Sequence, residues 1–159
     1  APVFANTNLE MQMMTSDVLS VFEQKDSEVV FDVGGDEDGA FALGGYKKFF
    51  DREGYEMFFV VNTRRPLTQT ADDILVYMSE IENASRLNIT HIVNNSNLAG
   101  ETSEEDILHG DREVRKIYGK TKIDYAFLSG EKKLLENIDL NNYGCMEKFY
   151  LERFLKPEF

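Results

Sequence analysis

Several short apolar runs in this chain carry hydrophobic side chains on consecutive positions, and this constrains the fold more than any other feature. The runs are Val29-Val30-Phe31, Met57 to Val61, Ile92-Val93 and Ile123 to Leu128. They are rich in Val, Ile, Phe and Tyr. A strand that is apolar on both faces needs cover on both faces, as central strands of parallel sheets have. Between the runs lie segments of helical period. Met14, Val18, Val21 and Phe22 share one face, and Ile74, Met78 and Ile81 share another. The second of these opens at Thr70, with Asp73 three residues on. A third, through Ile107, Val114, Ile117 and Tyr118, is predicted to start at Thr102 with Glu105 completing a capping box. Gly110 falls inside it and weakens the helix there. Leu134, Leu135 and Ile138 predict a short helix. Met146, Phe149, Tyr150 and Phe154 predict a terminal helix over 143–156, before Pro157.

Strand and helix therefore alternate. The predicted fold class is α/β: an open, mostly parallel sheet with helices on both faces, in a single domain over residues 1–159. The chain shows no internal repeat, low-complexity tract or linker.

Composition narrows the function classes. Seventeen basic against twenty-nine acidic residues give a net charge of −12, which repels phosphate backbones and argues against direct nucleic-acid binding. A basic partner, or plain solubility, is a better account of such a surface. No run approaches the roughly 20 apolar residues that span a bilayer, and no signal peptide pattern opens the sequence. The single cysteine, Cys145, sits among Tyr143, Met146 and Phe149 and reads as a packing residue in a reducing compartment, so the expected location is cytoplasmic. The glycosylation-like tripeptides at Asn83, Asn88 and Asn94 are read as chance matches on that basis. His91 and His109 lack metal-ligand spacing, and neither a G-x-S-x-G nucleophile elbow nor a zinc pattern occurs.

Ligands of open α/β sheets bind at the carboxyl ends of the strands. The run 29–33 leads into Asp32-Val33-Gly34-Gly35-Asp36-Glu37-Asp38-Gly39. A carboxylate at a buried strand end needs a partner such as magnesium, and a glycine three residues on lets backbone approach a terminal phosphate. A tight strand–helix turn with Asp32 capping a helix fits the same residues. Asp36, Glu37 and Asp38 suit a helix N-terminus. The next run ends in Asn62-Thr63-Arg64-Arg65-Pro66, whose arginines could meet phosphate or a carboxylate, or form a solvated loop. The third ends in Asn94-Asn95-Ser96-Asn97-Leu98, whose amides suit the edge of an adenine ring, or a turn.

Together these segments resemble the MinD/ParA-like, CobQ/CobB-related P-loop ATPases. The run Val29 to Ala40 resembles their second phosphate-sensing motif. Val60-Val61-Asn62-Thr63-Arg64-Arg65-Pro66 and Val93 to Leu98 are similar to the same family, and most of all to a bacterial branch described as ATP-binding or chromosome-partitioning ATPases. The resemblance covers roughly Pro2 to Leu128. It implies an ATP-binding and ATP-hydrolysing switch that couples nucleotide state to a protein partner, with ATP or ADP and magnesium as cofactors. It implies that Asp32 binds magnesium through water, that Gly35 donates its amide to the γ-phosphate beside Gly34, and that Asn94 or Asn95 touches adenine, with Arg64 near the nucleotide. Phe4-Ala5-Asn6-Thr7-Asn8 would sit at an earlier strand end.

One departure is large. The family's phosphate-binding loop, G-x-x-x-x-G-K-S/T, is absent from this sequence, and Gly44-Gly45-Tyr46-Lys47-Lys48 does not replace it. In the family that loop precedes the matched region, so roughly 60 to 80 residues are expected upstream at about 30 per strand–helix unit. The opening Ala1-Pro2 fits a cut or processed start. The chain alone is then expected to hydrolyse no ATP and to hold nucleotide weakly, and to rearrange or form a homodimer. An ATP-dependent ligase on the same fold is a second expectation. A non-enzymatic module is a third, binding a basic partner through Asp36, Glu37, Asp38, Glu104, Glu105 and Asp106.

Overall fold

The computed structural model describes residues 16–23, 28–139 and 147–152. The expectations placed on Phe4 to Asn8, Met14, Tyr143, Cys145, Met146, Phe154 and Pro157 lie outside them. The chain divides into two compact units, a finer division than the single domain expected. The first takes residues 1–55 and 83–87, the second 56–82 and 88–159.

In the first unit, α1 (Ser16–Val21), α2 (Glu37–Gly44) and α3 (Lys47–Glu53) surround aromatic side chains. The Phe22 ring lies 4.9 Å from Phe49, 5.3 Å from Phe50 and 5.6 Å from Phe31, and Phe50 lies 5.8 Å from Tyr55. Asp36 is the N-cap of α2, its carboxylate accepting the Gly39 amide at 2.8 Å. Glu37 and Asp38 occupy the first turn, where the helix dipole favours acids. A Cβ on Gly39 would stand 2.4 Å from the Gly34 carbonyl oxygen, so the first turn of α2 closes on the preceding backbone only because residue 39 has no side chain.

The strand predicted over 29–33 does not form; residues 28–34 belong to no helix and pair in no ladder among the described residues. Val30 is 93% exposed and Phe31 turns into the aromatic cluster instead. High β-propensity suits a pleated surface, but without a neighbouring strand there is no pleated surface to fit.

The second unit is a four-stranded, all-parallel sheet in the order β1 (Phe58–Val61), β2 (His91–Asn94), β3 (Asp124–Glu131), β4 (Glu147–Leu151). Together with its helices it is the open α/β arrangement that the alternation predicts. The crossovers run through α4 (Ala71–Ser85), α5 (Glu104–Thr121) and, before β4, α6 (Lys132–Leu135). A terminal helix was expected where β4 lies: Phe149 and Tyr150 fit a helical period, but Glu147 to Leu151 pair with β3 from Phe127 to Glu131. Five ladder pairs outweigh the weak local preference of so short a segment.

The register places Phe59, Val61, Ile92, Asn94, Tyr125 and Leu128 on one face of the sheet. Ile74 and Met78 of α4, Ile107, Val114 and Ile117 of α5, and Leu135 of α6 pack there to form the core. Consecutive strand order with right-handed crossovers puts successive helices on the same side of a sheet. The opposite face carries Phe58, Val60, His91, Val93, Phe127 and Phe149, of which Phe58, Val60 and Phe149 are 41%, 58% and 52% exposed.

Helix boundaries follow their caps. Thr70 and Asp73 bond reciprocally at the start of α4. The capping box of α5 is Ser103 with Asp106, one residue later than the predicted Thr102 and Glu105. Thr102 instead spends its hydroxyl on the preceding loop, accepting from the Leu98 amide at 2.7 Å and donating to Asn97 Oδ1 at 2.9 Å. Among the described residues no helix is long and apolar enough to cross a membrane.

Candidate functional site at the carboxyl ends of the strands

The segments after β1 and β2 meet because their strands are neighbours and parallel. The Asn95 amide continues the ladder, donating to Val61 O at 2.7 Å. Asn62 Nδ2 donates to Asn97 O at 2.9 Å, and the Thr63 and Ser96 hydroxyls lie 2.9 Å apart. The Thr68 hydroxyl donates to Asn62 O at 2.8 Å, which draws the 66–68 helical turn back over the strand end. Two loops that the sequence separates by some thirty residues thus form one hydrogen-bonded rim, with Thr63, Thr68 and Ser96 buried in it.

Asn94 and Asn95 have different fates. Asn94 is wholly buried on the helix-covered face: its Nδ2 donates to Ile107 O at 3.1 Å, and its Oδ1 accepts the Ser96 amide at 3.0 Å. Both ends of its amide hold the fold. Asn95 is half-buried, and its Oδ1 is a buried acceptor with no hydrogen-bond partner among the described residues. Such an atom costs about 1–3 kcal/mol if nothing meets it.

Arg64 sits on the rim. Its amide donates to Asn62 Oδ1 at 3.0 Å and its guanidinium lies 3.4 Å from Asp106 Oδ1. The two hydrogen bonds from Ser103, with lesser help from Arg64 and His109, hold the Asp106 carboxyl below the usual carboxylate range against the opposing effect of burial. An arginine over an acidic helix N-terminus keeps half its side chain in solvent, where a second anion can reach it.

Asp32, Gly34 and Gly35 belong to the first unit, and Asn94, Asn95 and Arg64 to the second. Asp32 is exposed and lies outside any strand or helix rather than at a buried strand end. Among the described residues no three His, Cys, Asp or Glu side chains are placed to hold a metal ion together.

Two further polar groups were not singled out by the sequence. Glu113 is buried, accepting the Ala71 amide at 2.9 Å and pairing with Lys116 at 2.6 Å. Burial pushes its pKa up, but Lys116 and the Ala71 amide outweigh this and the net shift is down. Its position in a helix gives no hint that it caps another. Tyr125 carries a buried hydroxyl, and burial, then the Asp111 carboxylate, raise its pKa. Asp111 is itself clasped by Arg115 at 2.7 and 2.9 Å, and that guanidinium lies 5.7 Å from the Tyr125 ring centre. A cleft of about 250 Å³ between α5 and the segment after α6, lined by Glu104, Asp111, Arg112 and Asp139, is smaller than the sites that enclose drug-sized ligands.

The chain matches no family model, no curated protein and no solved structure.

Proposed function

We propose that this chain is the base-reading and partner-sensing part of an ATP-driven switch of the MinD/ParA-like kind, with the adenine ring at the carboxyl ends of β1 and β2. The observation that carries this reading is the orphaned Asn95 Oδ1 at the strand-end rim. The exocyclic amine of adenine is a donor of the kind this atom lacks. Asn94, whose amide is committed to Ile107 and Ser96, is left out of the base contact. Arg64 is the anion-facing residue of the same rim.

The resemblance of 29–40 carries an expectation for the first unit by itself: magnesium held by Asp32 through water, and the γ-phosphate met by the Gly35 amide beside Gly34. Magnesium bound this way needs few protein ligands, since it retains much of its water. The phosphate cradle of the family is not in this sequence, so the chain by itself turns over no ATP and binds nucleotide in about the millimolar range, near −4 kcal/mol.

The test is an amide-resolved NMR titration of the chain with magnesium–ATP, repeated with magnesium–UTP, whose base has a carbonyl acceptor and no exocyclic amine. The expected result is a saturable shift at Asn95 and Arg64 with ATP that Asn95→Leu removes and UTP does not reproduce. No response at about 10 mM ATP, well above the millimolar expectation, overturns the reading. A non-enzymatic interaction module is the second reading, favoured by the exposed aromatic face of the sheet, and it predicts that silent outcome.

A further inference from the structure

Phe58, His91, Phe127 and Phe149 form a continuous aromatic ladder across all four strands. The ring centres of Phe58 and His91 are 4.7 Å apart, those of Phe58 and Phe127 6.2 Å, and those of Phe127 and Phe149 5.7 Å. Val60 and Val93 fill the next row, paired through the register. Phe58, Val60 and Phe149 leave this row open to solvent, each more than two-fifths exposed. The patch is rimmed by acid. The register sets Asp124 beside His91, Glu147 beside Phe127 and Glu131 beside Leu151, on the same face as the ladder.

We propose that this face docks an amphipathic helix of another polypeptide, one whose apolar stripe is flanked by lysine or arginine. Two observations select that occupant. The four strands span about 14 Å between outer axes, which suits one helix of about 10–12 Å diameter. A second copy brings the same acidic rim and the same −12 charge, whereas basic flanks meet Asp124 and Glu147 with opposite sign; Glu131 is already paired with Lys133 at 2.8 Å. Recognition of this sort seats apolar anchors at helical spacing and leaves charge at the edges. It stands independently of nucleotide binding at the strand ends.

The test uses the full chain and a fluorescent synthetic peptide of eighteen residues, built of Leu and Lys with leucines at helical spacing, beside the same pattern with Glu for Lys. The Leu/Lys peptide is expected to bind, and Val60→Asp to weaken it by about tenfold or more, the loss typical of a central contact. The sign is informative: an added carboxylate would strengthen a purely electrostatic contact, so weakening isolates the apolar one. Val76→Asp, on the exposed side of α4, should leave affinity unchanged within about twofold. Phe149→Ser, on another strand, repeats the loss if Val60→Asp unfolds by circular dichroism. Equal affinity of the two peptides overturns the proposal, as does undiminished binding by a folded Val60→Asp or Phe149→Ser. Sedimentation showing a dimer that Val60→Asp dissociates also overturns it and gives the face to a second copy.

Discussion

Gly110 interrupts a helical face, yet α5 runs through it without a break. A Cβ there would stand 2.1 Å from Ser96 Oγ and 2.5 Å from Asn94 Oδ1. The helix needs that vacancy to approach the loop after β2. Alanine favours a helix interior over glycine by about 1 kcal/mol, but overpacking costs about 1–3 kcal/mol. Because Asn94 and Ser96 are themselves buried and bonded, they have little room to yield. Gly110→Ala is therefore expected to destabilise the protein by about 1–2 kcal/mol in urea unfolding, the clash exceeding the propensity gain. A stabilised variant would mean that the loop moves freely. The asparagines show the limit of reading residues singly. Their position at a strand end was legible, since a polar cluster follows an apolar run. Which of the two is free to meet a ligand was not, because it depends on whether α5 presents a carbonyl, that of Ile107, to Asn94.

The helix ends are held by carboxylates, and that gives the fold an acid limit. Asp106 closes the capping box of α5 and Glu113, from within α5, caps the start of α4. Both have pKa values lowered in the folded state: Asp106 mainly by Ser103, and Glu113 because Lys116 and the Ala71 amide overcome its burial. A lowered folded pKa adds stability that is complete above the unfolded pKa and is lost as pH falls through the folded one. Combining Asp106→Asn with Glu113→Gln should lower the urea midpoint at pH 7 and flatten its decline between about pH 5 and pH 3. An unchanged acid slope would assign the acid limit to other carboxylates. Elements were legible in proportion to how much of their cause is local. β1, β2 and β3 appear where apolar runs predict them, and α4 starts at its Thr70–Asp73 cap. Residues 28–34 carry the same β-rich signature without a ladder, and β4 hides behind a helical spacing. Pairing is a property of neighbours, and a single run cannot report who its neighbour is.

The whole molecule is dominated by its charge. A net −12 on 159 residues gives a surface that repels polyanions, and only counterion release by cationic side chains would favour a phosphate backbone. No mobility shift of duplex DNA is expected at micromolar protein and about 0.1 M salt; a shift that weakened with added salt would reveal a basic patch outweighed in the total. The open parallel sheet was readable at this scale from the alternation of patterns. The division into two units was not, because no change of composition or linker marks residues 55 and 56.

The strand order has a temporal meaning as well. Each strand of the sheet lies beside the one synthesised just before it, with Phe58, His91 and Asp124 aligned at a constant interval of 33 residues. No strand has to wait for a distant, later segment before it finds its place. Domains fold as units while the chain emerges at about 5–20 residues per second. A sheet laid down in chain order can therefore grow from β1 towards β4 as it leaves the ribosome, each helix folding over the pair that has just formed.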